Sequence, residues 1–106
     1  MEILLVGADL MFAGKASAMA AAAGGALRMQ PARGPFSPAP GQTAFVALYA
    51  AGALDAVRAL AQGGAEVIAF GSHVDEAAFA AARDAGARET IPNSRFEARL
   101  RQALGA

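Results

Sequence analysis

The chain has 106 residues, 56% of them hydrophobic and 17% charged, with a formal net charge of +0 and no cysteine. That length fits one domain, residues 1–106, and the missing thiols exclude disulfides and thiolate metal sites. No long basic run exists to bind nucleic acid, and one histidine makes a histidine-based metal cluster improbable.

Short apolar runs alternate with alanine-rich runs along the chain. Residues 3–6, within the apolar run 1–6, read as a first strand buried on both faces. Gly7 and Ala8 turn the chain, and Asp9 suits the N-cap of a helix from Leu10 to about Ala23, which Gly24-Gly25 stops. Residues 26–29 are a second, weaker strand. Four of the five prolines then fall within residues 30–43. Proline lacks the backbone donor and clashes with the preceding turn, so this crossover is expected as an extended loop, with at most a short helical turn at Ser37-Pro38. Phe36 is expected to fold over the sheet face that loses its helix.

Residues 44–49 read as the central strand, 53–62 as a helix ended by Gly63-Gly64, and 66–70 as a strand. Residues 75–85 follow as a helix, with Asp75 and Glu76 in its first turn and Gly86 as C-cap. Residues 88–91 are the last strand. Ser94-Arg95-Phe96-Glu97 is read as a capping box opening a helix over 95–104. The predicted sheet is parallel, ordered 2-1-3-4-5, with right-handed crossovers and any site at the strand carboxyl ends.

The stretch EVIAFGSHVDEAAFAAARDAGARETIPNSRF, residues 66–96, resembles the fourth strand to fifth helix of response-regulator receiver domains, as does the opening MEILLVGADL their first strand and acidic loop. The resemblance implies the flavodoxin-like, three-layer α/β fold of CheY-like domains, with its second helix reduced or replaced by the proline-rich loop. Receivers phosphorylate an aspartate after strand three and hold Mg²⁺ with it and two acids after strand one. A hydroxyl after strand four and a lysine after strand five contact the phosphoryl group. Here the acidic pair falls on Gly7 and Ala8, the phosphoacceptor on Tyr49, the hydroxyl on Gly71 beside Ser72, and the lysine on Asn93. The proline that follows that lysine falls on Ser94. Magnesium needs hard oxygen ligands and phosphoryl transfer needs a nucleophile with charge compensation, and these residues supply neither. The resemblance thus implies a degenerate pseudo-receiver without a metal, cofactor or catalytic set, and not an enzyme.

Three function classes follow. The first is a cytoplasmic signalling module working by protein–protein contact, through a partner protein or a homodimer. Its expected face is helix 75–85, strand 88–91 and helix 95–104, carrying Arg83, Arg88, Arg95 and Arg99, with no nucleic acid or membrane partner. The second is a small-molecule binder with a strand-end pocket of Gly7, Asp9, Tyr49, Ser72 and Asn93. The third, an enzyme, ranks last because the strand ends lack paired ionisable groups. Gly14-Lys15-Ala16-Ser17 superficially matches a phosphate loop, but Asp9 stands where the first glycine is required. His73 is read as a loop or cap residue.

Overall fold

The computed structural model describes residues 2–105; Met1, expected to open the first strand, lies outside them. The elements run β1 (Glu2–Val6), α1 (Leu10–Ala23), β2 (Ala26–Gln30), β3 (Thr43–Ala47), α2 (Ala53–Gln62), β4 (Glu66–Gly71), α3 (Glu76–Asp84), β5 (Glu89–Pro92) and α4 (Phe96–Ala103). The strands form one parallel sheet in the order β2-β1-β3-β4-β5, the flavodoxin-like arrangement. The central strands β1, β3 and β4 are almost wholly buried, while the edge strands β2 and β5 are not. That is why the central runs are continuously apolar in sequence.

Side-chain alternation along the strands divides the core in two. Leu4, Val6, Val46 and Val67 face α2, packing with Val57 and Leu60. Ile3, Leu5, Phe45, Ile68 and Phe70 face α1 and α4, packing with Ala16, Phe96 and Leu100. Asp9 caps α1 by accepting from the Phe12 N–H at 3.0 Å, and Gly24 closes it in the left-handed region.

The proline-rich crossover is irregular, with turns at Ala32-Arg33 and Pro40-Gly41, and it contains no helical turn at Ser37-Pro38, contrary to that expectation. Gly34, Ser37 and Ala39 each precede a proline, whose ring pushes the preceding residue out of the helical region. Ala32 and Phe36 pack on the α2-side core, so Phe36 does cover the missing helix. Gln42 pins the far end of this strap. Its Nε2 donates to the Glu2 carbonyl at 2.8 Å, and its Oε1 accepts from the Ala39 N–H at 2.9 Å.

Other local expectations need correction. β3 ends at Ala47, where the Ala50 N–H turns back to the Ala47 carbonyl, so Tyr49 sits in the turn beyond the strand. Asp75 is the N-cap of α3, accepting from the Ala78 N–H at 3.1 Å, and Ala85 rather than Gly86 is its C-cap. The capping box does not form. Ser94 lies inside a 3-10 turn over Asn93–Arg95, so it lacks the extended backbone an N-cap needs, and α4 starts at Phe96 without a side-chain cap. Glu97 pairs instead with Lys15 at 3.8 Å.

Candidate functional site

At the strand carboxyl ends the loops after β1 and β3 close on each other. Gly7 turns the chain at φ 74°, a conformation that favours glycine. A Cβ built there would stand 2.7 Å from the Ala50 Cβ. Tyr49 then reaches across, its hydroxyl oxygen accepting from the Asp9 N–H at 3.0 Å. Partial burial raises the Tyr49 hydroxyl above the usual phenol range, and the nearby Asp9 carboxylate adds to the rise while the Asp9 N–H opposes it.

Beneath this tether lies an aromatic cluster that the sequence reading missed. Phe12 of α1 is 5.2 Å from Phe70 and from Phe96, and Phe70 and Phe96 are 4.6 Å apart, centroid to centroid. Phe45 meets Phe96 edge-on at 5.5 Å, and the Tyr49 ring lies 6.1 Å from Phe12. Contacts of this kind contribute beyond their buried area. The signal was available as aromatic residues in four different elements, but only the topology brings them together.

The five strand-end candidates do not form one polar pocket. Asp9 and Tyr49 are joined and Gly7 packs beside them, whereas Ser72 is exposed. The Asn93 Oδ1 is buried and makes no hydrogen bond with the described residues. No group of three or more His, Cys, Asp or Glu side chains that could hold a metal ion occurs among the described residues. Gly7, Ala8 and Tyr49 present no carboxylate, so the positions where receivers hold Mg²⁺ do not fit a hard divalent cation.

The arginines of the other candidate face mostly bond within the chain. Arg99 grips Glu89 with two bonds of 2.9 and 2.8 Å, and this fork holds the Glu89 carboxyl below its usual range. Arg88 pairs with Glu66, and Arg83 donates to the Thr90 hydroxyl at 2.8 Å. These bonds tie the edge strand β5 to β4, α3 and α4. Arg95 alone of the four has no side-chain partner among the described residues, and it flanks a groove of about 750 Å³ with Glu89, Ile91 and Gln102. Among the described residues no helix is long and apolar enough to cross a membrane.

No protein-family model matches the sequence, and no curated protein does. Solved structures do match. NtrX from Brucella abortus superposes with a TM-score of 0.72 at 14% identity, over 98% of this chain and 27% of that one. The chain thus spans about a quarter of NtrX. A response regulator from Thermotoga maritima gives 0.70 at 12% identity, over 99% and 98% of the two chains. A CheY-like receiver domain protein from Methanospirillum hungatei gives 0.72 at 12% identity, over 98% and 93%. At these identities the likeness is one of fold, and the fold is the five-stranded flavodoxin-like sandwich of receiver domains.

Proposed function

We propose that this chain is a receiver-like regulatory module that accepts no phosphoryl group and acts by protein–protein contact. The observation that carries the reading is the closure at Gly7. Where the receiver pattern requires an acid, a bare Cβ already collides with Ala50, and Tyr49 at the acceptor position is tied to the Asp9 backbone. A phosphoryl group there would meet neither a carboxylate nucleophile nor a bound cation to offset its charge. With the chemistry gone and the scaffold kept, what remains for the module is its surface.

The test is incubation of the full chain with Mg²⁺ and acetyl phosphate, a small-molecule phosphoryl donor, followed by intact mass spectrometry. The expected mass is unchanged. Stoichiometric gain of one phosphoryl group would contradict the proposal.

A further inference from the structure

The sheet has two open edges, β2 on one side and β5 on the other, and they differ. An edge strand presents unpaired N–H and C=O groups that an extended segment of another chain can join. At β5 the Arg88 N–H donates to the Val67 carbonyl at 2.8 Å. Backbone groups of successive strand residues point to opposite sides. Thr90 therefore also faces β4, while the N–H and C=O groups of Glu89 and Ile91 face outward. On the α4 side this edge opens into the groove of about 750 Å³, where Ile91 and Ala98 are the apolar lining and Glu89, Arg95, Arg99 and Gln102 the polar one.

Charge identifies the segment. The acids beside this edge, Glu66 and Glu89, are taken by Arg88 and Arg99. Two guanidinium groups along it are left uncompensated. Arg83, on the α3 side, bonds only the neutral Thr90 hydroxyl at 2.8 Å. Arg95, on the α4 side, has no side-chain partner among the described residues. Asp84 makes no ion pair with either. The β2 edge has no such excess, since its one base, Arg28, pairs with Glu2 at 3.2 Å. In an added strand successive side chains point to opposite faces. Two carboxylates an odd number of positions apart would therefore reach one uncompensated arginine on each face, as charge-assisted hydrogen bonds. A nucleic-acid strand fits less well. Its phosphates would also meet Glu66 and Glu89, and its sugar–phosphate backbone offers no alternating donors and acceptors to the ladder.

We propose that the open edge of β5 takes an extended acidic segment of a partner protein as a sixth strand, with one carboxylate on Arg83 and one on Arg95. The inference deepens the reading of the chain as a contact module and rests on it. It makes the backbone edge, rather than the helix faces, the place of contact, and acidity the mark of the partner.

An amide NMR titration of the full chain with the capped peptide acetyl-Thr-Val-Glu-Asp-Val-Thr-amide, to roughly 5 mM, tests it and reaches weak complexes. Saturable shifts are expected at Glu89, Ile91 and Arg95. Hydrogen exchange should slow at the Glu89 and Ile91 amides, which gain acceptors. The matching peptide with Gln and Asn in place of the acids should bind about tenfold more weakly. Arg95→Gln changes an exposed side chain without a partner, so the fold should persist, and it should weaken the acidic peptide about threefold. Arg33→Gln on the strap should leave binding unchanged. Absence of saturable shifts, equal binding of the uncharged peptide, or binding that leaves exchange at Glu89 and Ile91 unchanged would overturn the proposal. So would shifts at those two amides on raising the protein concentration alone, which would put a second copy on the edge, or tighter binding of a single-stranded oligothymidylate there. The reading on which it rests fails separately, as a gain of one phosphoryl group in intact mass.

Discussion

The two ends of the sheet are built differently. At the amino end, Gln42 bridges the strap to β1, and the Glu2–Arg28 and Glu66–Arg88 pairs flank it. At the carboxyl end, the polar groups that a receiver would gather are replaced by glycine, alanine and a tethered tyrosine, and apolar side chains face outward. In open α/β sheets the carboxyl end is where ligands bind. Here the fold retains that geometry, and the proposed function rests on Gly7, Ala8 and Tyr49 bringing no carboxylate to it.

The largest test of this contrast is Phe96→Ala. Phe96 is fully buried and touches Phe12, Phe45 and Phe70, so its loss should open a cavity under the strand ends. A destabilisation of about 4 kcal/mol is expected in urea unfolding. A loss under about 1 kcal/mol would mean that the cluster does not support the carboxyl end.

Gly7→Ala comes next. It combines a left-handed backbone with a 2.7 Å approach to Ala50, for an expected loss of about 3 kcal/mol. A neutral outcome would show that the two loops can part, and with them the closure on which the functional reading depends.

Gln42→Leu probes the amino end. It leaves the Glu2 carbonyl and the Ala39 N–H without their partner in a part-buried place, for an expected loss of about 2 kcal/mol. Hydrogen exchange should quicken in the strap and at the start of β1 while the amides around Tyr49 stay as they were. Equal quickening at both ends would break the comparison.

The smallest effect concerns pH. The Arg99 fork lowers the Glu89 carboxyl in the folded chain, so the pair stabilises above the ordinary glutamate value of 4.5 and that contribution is lost as pH falls through the lowered value. Both groups are partly exposed and screened, so it amounts to no more than about 1 kcal/mol. Arg99→Gln should flatten the acid limb of the stability curve by that amount; an unchanged limb would remove Glu89 from the account.

Much of this architecture was legible because it rests on local signals. Continuous apolar runs mark β1, β3 and β4, Asp9 marks a helix start, and prolines mark the strap with Phe36 on it. What was not legible depends on partners distant in sequence. Ser94 and Glu97 have the spacing of a capping box, but the chain leaving Pro92 enters a 3-10 turn at once and forecloses it. Gln42 reads as an ordinary loop residue until Glu2, forty positions away, is folded beside it. At the site, the sequence shows that Gly7, Ala8 and Tyr49 carry no carboxylate. Only the fold shows Ala50 standing close against Gly7 and the Tyr49 hydroxyl bonded to the Asp9 N–H.

The most direct measurement of the central claim is an amide NMR titration of the full chain with Mg²⁺ and then with beryllofluoride, a mimic of a bound phosphoryl group. The account predicts no saturable shifts at Gly7, Tyr49 and Gly71. Saturable shifts clustered at those three positions would contradict it and show an oxygen-ligand site at the strand ends.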